Sequence, residues 1–82
     1  MLTKVVLIID KRKEQSTKYK KILENNDISV FVADNFATSL NLMNEFEPDL
    51  ILISDSIDFN VKEAIKQIRV LTYNTRPAIV SL

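Results

Sequence analysis

Two short apolar runs that each end in acidic or hydroxyl side chains constrain this chain more than any other feature. Residues 5–9 are followed directly by Asp10, and residues 50–53 are followed by Ser54 and Asp55. Apolar runs of this length are typical of strands that are buried on both faces of a parallel sheet. The sequence therefore predicts a parallel sheet that delivers polar groups to one of its edges.

Strand and helix patterns alternate along the whole chain. Apolar and β-branched residues predict strands over residues 4–9, 28–33, 49–53 and 77–82. Apolar positions spaced three or four apart predict amphipathic helices over residues 14–26, 36–46 and 61–71. Strict alternation with short connections implies parallel strands joined by right-handed crossovers. At 82 residues the chain is predicted to form one α/β domain over 1–82.

Polar residues at the ends of the predicted helices replace the glycines that the sequence lacks. Asp34 and Asn35 are suited to cap the second helix, and Pro48 is expected to end it. Asn25 and Asn26 are expected to end the first helix, because asparagine tolerates the left-handed conformation.

Charge and composition exclude several classes of protein. Eleven basic and eleven acidic residues cancel, although residues 1–21 carry seven basic side chains and residues 22–61 carry eight acids and no base. A neutral chain gives little support for direct nucleic-acid binding. No apolar run reaches membrane-spanning length, so no membrane partner is predicted, and we expect a cytoplasmic protein.

Three absent residue types limit the chemistry further. Without cysteine or histidine, thiolate nucleophiles, imidazole metal sites and Ser-His-Asp arrangements are excluded. Without glycine there is no glycine-rich phosphate loop, which argues against a nucleotide-binding domain and against an enzyme. Any metal would have to be a hard cation such as Mg²⁺, held by oxygen ligands.

The polar groups at the strand ends allow two interpretations. Asp10 and Asp55 could face each other across one crevice, where a cation would relieve their repulsion. Alternatively, both residues are turn and cap residues that only end two strands.

The segments around these strands resemble the receiver domain of bacterial two-component response regulators. The resemblance is carried by residues 4–10, 14–23, 47–53, 64–69 and 76–82, in this order and spacing. It implies a three-layer flavodoxin-like fold with parallel strands in the order 2-1-3-4. It spans the whole chain but only about two thirds of a receiver, so the last third of the fold is expected to be lacking.

The resemblance also implies a set of site residues. Receivers take a phosphoryl group from a histidine kinase onto an aspartate that ends the third strand, with Mg²⁺ held by this aspartate and by an acidic pair after the first strand. Asp10 matches the first acid of the pair, whereas Lys11 stands in place of the second. The phosphoacceptor position falls on Ser54, which leaves Asp55, one residue later, as the candidate acceptor and metal ligand. Because strand side chains alternate between faces, this offset is expected to turn Asp55 away from the crevice unless a bulge intervenes.

The absence of the last third has a structural consequence. The fourth strand becomes an unpaired edge, and part of one sheet face becomes exposed. We therefore predict self-association or a protein partner, with Ala78, Ile79 and Val80 near the contact.

Three hypotheses for the function remain open. The first is a signalling module that acts through protein contacts, with impaired or absent phosphoryl acceptance. The second is a competent phosphoacceptor, using Asp55 and Mg²⁺, when a carboxyl-terminal part is present. The third is a self-assembling βα domain without a signalling role.

Overall fold

The computed structural model describes residues 4–24 and 27–82, which form four strands and three helices. The strands are β1 (Lys4–Ile9), β2 (Ile28–Ala33), β3 (Leu50–Ile53) and β4 (Ala78–Ser81), and the helices are α1 (Lys13–Glu24), α2 (Phe36–Phe46) and α3 (Val61–Leu71). Each element lies within about two residues of its predicted range.

All four strands are parallel and form one sheet in the order β2-β1-β3-β4. The register pairs Ile9 of β1 with Ile53 of β3, so the two strands end at the same level. The predicted α/β fold and strand order are thus confirmed. Asp10 and Ser54 are delivered to one edge of the sheet, because each directly follows one of these paired residues.

The two faces of the sheet are covered to different extents. The larger core lies between the sheet and helices α2 and α3, and it includes Leu7, Ile53 and Ile68. A smaller core on the opposite face packs against Tyr19 and Leu23 of α1. Side chains of β1 alternate between the two faces of the sheet, and on both faces they are removed from water. This explains the uninterrupted apolar sequence of the strand.

Side-chain caps define the start of two helices. Asn35 accepts a hydrogen bond from the Thr38 backbone N–H at 2.8 Å and begins α2, as predicted. Asn60 begins α3 in the same way. Helix α2 ends at Glu47, which adopts the left-handed conformation, directly before Pro48. The predicted terminators Asn25 and Asn26 lie outside the described residues.

Strand β4 lies at one margin of the sheet and is poorly covered. Ala78 is exposed, Ile79 is half-buried against the larger core, and Val80 is 46% exposed. In the described ranges, no helix is long and apolar enough to cross a membrane.

Candidate functional site

Backbone hydrogen bonds between neighbouring strands fix the positions of the two residues that begin the site. The Asp10 N–H donates to the Ala33 carbonyl at 3.0 Å, and the Ser54 N–H donates to the Ile9 carbonyl at 2.8 Å. Both residues therefore continue the sheet by one position beyond the strands. Asp10 and Ser54 are buried there, although each carries a polar side chain.

The Asp10 carboxylate is buried but strongly hydrogen-bonded through one oxygen. Its Oδ1 accepts from the Arg12 backbone N–H at 2.9 Å, from Arg12 Nε at 3.3 Å and from Ser56 Oγ at 2.8 Å. Its Oδ2 is buried and has no hydrogen-bond partner among the described residues. A buried carboxylate is costly unless it is paired, and the Arg12 guanidinium provides the opposite charge.

Arg12 connects the ends of the two strands. While its Nε donates to Asp10, its Nη2 donates to Ser54 Oγ at 3.0 Å. Ser54 Oγ in turn donates to Ser56 Oγ at 3.0 Å, and the Ser56 hydroxyl donates to Asp10 Oδ1. We name these four residues, Asp10, Arg12, Ser54 and Ser56, the crevice network. It joins β1 to the loop after β3 through charged and hydroxyl groups.

The hydrogen bonds of the crevice network control the ionisation of Asp10. Burial of the carboxyl group raises its pKa, but the hydrogen bonds from the Arg12 backbone, Ser56 and the Arg12 side chain, together with the guanidinium charge, outweigh burial. The pKa of Asp10 is therefore held below its ordinary value of 3.8. The folded protein keeps this buried group as a carboxylate.

This lowered pKa predicts a pH dependence of folding stability. The unfolded state binds the Asp10 proton more tightly than the folded state does, so the stabilisation is present above the ordinary pKa and is lost as pH falls through the folded pKa. The stability difference between wild type and Asp10→Asn is expected to shrink as the pH falls below about 4. Urea unfolding at a series of pH values measures this difference. Asp55→Asn is the matched control, because it removes an exposed carboxylate from the same sheet edge; an equal pH effect in both variants would contradict the prediction.

The structure places the other predicted site residues outside the crevice network. Asp55 is exposed on the turn after β3. Lys11 is exposed, and its backbone N–H donates to Ser56 Oγ at 3.2 Å. Arg12 joins Asp10 to Ser54 by hydrogen bonds, whereas Asp55 is not part of this network. The Asx-type bond from the Arg12 N–H to Asp10 also gives Asp10 the turn role that was the alternative interpretation.

Arg12 and Ser56 were not identified from the sequence as site residues. Arg12 stands in a run of three basic residues that reads as the solvated start of a helix, and half of its side chain is indeed exposed. A usable signal was the position of a guanidinium two residues after a carboxylate that ends a buried strand. Such a carboxylate needs a neutralising group nearby.

A divalent cation does not fit beside Asp10 in this arrangement. Oδ1 already accepts three hydrogen bonds, and the guanidinium bridges the carboxylate and the Ser54 hydroxyl. A hard cation would have to displace Arg12, and it would then find one carboxylate and neutral hydroxyls as ligands. Asp10 Oδ2 is the one acceptor of the crevice network that remains without a donor.

Comparisons with known proteins add no family to this description. No protein-family model matches the chain, and no curated protein matches it at a significant level. The fold and the crevice network therefore carry the functional argument.

Proposed function

We propose that this chain is a receiver-like signalling module of the two-component type, which acts through contacts with a histidine kinase or another signalling protein and accepts phosphate poorly or not at all. The parallel sheet in the order β2-β1-β3-β4 supports the proposal, because receivers share this order. Asp10 and Ser54 support it further, because they stand side by side at the strand ends where open parallel sheets place their functional groups.

The bridge made by Arg12 is the observation that carries the proposal. Its guanidinium neutralises Asp10 and binds Ser54 at the acceptor position, which are the two positions that Mg²⁺ contacts in a receiver. The positive charge is supplied by the chain itself and is therefore always present. We therefore expect the crevice network to form without Mg²⁺ or phosphate.

A competent phosphoacceptor is the second candidate, and one observation favours it. Asp10 Oδ2 is buried without a donor, which leaves a carboxylate oxygen for a cation if Arg12 moves away. Asp55 would then be the acceptor, since it is the nearest carboxylate that follows β3 and it is exposed to a phosphodonor. Phosphoryl transfer to it would depend on positioning and on charge neutralisation by Mg²⁺.

Treatment with acetyl phosphate and Mg²⁺ distinguishes the two candidates. The signalling module without phosphoryl acceptance is expected to keep its unmodified mass of 9.4 kDa in intact mass spectrometry. Gain of one phosphoryl group that is lost in Asp55→Ala and kept in Asp58→Ala would overturn it in favour of the phosphoacceptor. Asp58 is the matched control because it is an exposed aspartate of the same loop.

The remaining parts of the proposal rest on composition. A net charge of zero means that the chain lacks the excess of positive charge that is typical of nucleic-acid-binding proteins. The lack of histidine, cysteine and glycine favours a binding module over an enzyme. A cytoplasmic location is part of the proposal.

A further inference from the structure

The segment between β3 and α3, residues 54–60, contacts two separate parts of the molecule, and we name it the β3–α3 loop. Its first part belongs to the crevice network, where Ser56 Oγ donates to Asp10 Oδ1 at 2.8 Å. Its last part contacts the start of α2. There the Phe59 ring stacks on the Phe36 ring, with centroids 4.5 Å apart and an interplanar angle of 21°. One short loop thus touches both the crevice network and α2.

Helix α2 receives one of its N-terminal caps from this loop. The first N–H groups of a helix have no partner within the helix and need an acceptor from outside it. Asn35, the residue directly before α2, accepts from the Thr38 N–H at 2.8 Å. The Phe36 N–H donates instead to Asp58 Oδ1, at 3.4 Å. This second bond is long for an N–H donor, so a small displacement of the loop is enough to break it.

The backbone of the loop leaves little slack between its two contacts. Only Ile57 separates Ser56 from Asp58, and consecutive Cα atoms are about 3.8 Å apart. Ile57 is buried in the larger core and holds the middle of the loop in place. The loop, all of which the structure describes, has no residue in the left-handed conformation, and the chain has no glycine. A shift of Ser56 is therefore expected to turn the backbone about Ile57 and to move Asp58 with it.

The Arg12 bridge fixes the first turn of the loop. Ser54 Oγ accepts from Arg12 Nη2 at 3.0 Å and from the Ser56 N–H at 3.1 Å. The guanidinium thus holds the same hydroxyl that holds the backbone of the loop. When the guanidinium is removed, Ser54 and Ser56 lose this fixed arrangement.

We propose that the β3–α3 loop couples the crevice network to the start of α2, so that loss of the Arg12 bridge loosens the contacts of the loop with Phe36. Phe59 is 37% exposed, so the state of a buried network is presented at the surface of the molecule. In a signalling module, this surface is where a partner senses the crevice. The coupling itself does not require phosphoryl acceptance, so the acetyl phosphate experiment leaves it standing whatever its result.

Nuclear magnetic resonance of the two caps tests the coupling directly. In Arg12→Met, the Phe36 amide resonance and the Phe59 ring resonances are expected to shift, because the loop moves away from α2. The Thr38 amide, which Asn35 binds from its own segment, is the internal control and should keep its resonance. Lys18→Met, which removes an exposed positive charge from α1, should shift none of these resonances.

A double-mutant cycle compares the same two caps by their effect on unfolding. Asp58→Ala removes the cap that the loop supplies, and Asn35→Ala removes the cap from the segment before α2. In the Arg12→Met background, Asp58→Ala is expected to raise the unfolding equilibrium constant at least about twofold less than in wild type, because its contact is already weakened. Asn35→Ala should raise this constant by the same factor in both backgrounds.

Ser54→Ala is a second way to disturb the crevice network, and it keeps the proposal testable where Arg12→Met does not fold. It removes the hydroxyl that Arg12 and the Ser56 N–H bind but leaves the ion pair with Asp10 in place. It should also shift the Phe36 amide resonance, and circular dichroism shows which variants are folded. Equal shifts at Phe36 and Thr38, or no shift at Phe36 in a folded variant, would overturn the proposal. So would an additive cycle for Asp58→Ala, or equal coupling to both caps.

Discussion

Replacing both Lys11 and Ser54 by aspartate is expected to create a magnesium-binding site that the wild-type chain does not have. Ser54 is buried one residue beyond the end of β3, beside Asp10, so Ser54→Asp adds a second carboxylate within the crevice. Lys11→Asp removes a positive charge and adds a third acid. The three carboxylates at this sheet edge then repel one another unless a cation intervenes, which favours displacement of the Arg12 guanidinium by Mg²⁺, a hard cation that prefers such ligands.

The effect on stability is expected to be large and specific to the double variant. A ligand that binds only the folded state at 100 times its Kd stabilises that state by about 2.7 kcal/mol. The double variant should therefore unfold at higher temperature as MgCl₂ is added, whereas the wild type should respond only as it does to NaCl at equal ionic strength. Thermal unfolding followed by circular dichroism measures both responses.

The double variant Lys11→Asn and Ser54→Asn is the matched control. It introduces asparagine, which has nearly the same size as aspartate, at the same two positions without adding negative charge. The account of the crevice would be contradicted if Mg²⁺ stabilised the wild type as much as the double aspartate variant. It would also be contradicted if the double aspartate variant folded but was not stabilised by Mg²⁺.

Replacing Arg12 by methionine is expected to lower the free energy of unfolding by about 1–3 kcal/mol, because it leaves the buried Asp10 carboxylate without its counter-charge. Loss of one partner of a fully buried ion pair lowers the free energy of unfolding by more. The smaller range applies here because 48% of the Arg12 side chain is exposed and solvent screens its charge. Methionine keeps much of the aliphatic stem, so the change reports mainly on the guanidinium.

A double-mutant cycle with Asp10→Asn separates the pair from its surroundings. If the guanidinium and the carboxylate interact, Arg12→Met should cost much less in the Asp10→Asn background than in the wild type. Lys18→Met, at an exposed position of α1, is the control for loss of a positive charge and should cost little in either background. A coupling energy of zero between Asp10 and Arg12 would mean that their contact does not stabilise the fold. Urea unfolding at neutral pH gives the four free energies.

The fold was predictable because its signals are local and repeated. Buried parallel strands require apolar side chains on both faces, so residues 5–9 and 50–53 stand out in the sequence. Asn35 and Pro48 mark the limits of α2 through capping and through the missing N–H of proline. The strand order was taken from the resemblance to receivers, and the structure has that order.

The candidate site was less predictable because it depends on how two turns place side chains. Sequence reasoning identified Asp10 and Ser54 from their positions after the strands, but it paired Asp10 with Asp55 as metal ligands. Ser54 continues the sheet by one position and is buried, whereas Asp55 lies on the turn that follows and is exposed. The choice of Arg12 as the partner of Asp10, in preference to Lys11, depends on the turn that leads into α1, and the sequence signals it only through the spacing of a guanidinium two residues after the carboxylate.

Titration of the wild-type chain with MgCl₂, followed by the backbone amide resonances of residues 10–12 and 54–56, tests the central claim most directly. If Arg12 neutralises Asp10 and closes the crevice, these resonances should show only the small, linear changes that NaCl produces at matched ionic strength. Saturable shifts at these residues in the millimolar range of Mg²⁺ would show that a cation displaces the guanidinium, and they would contradict the account.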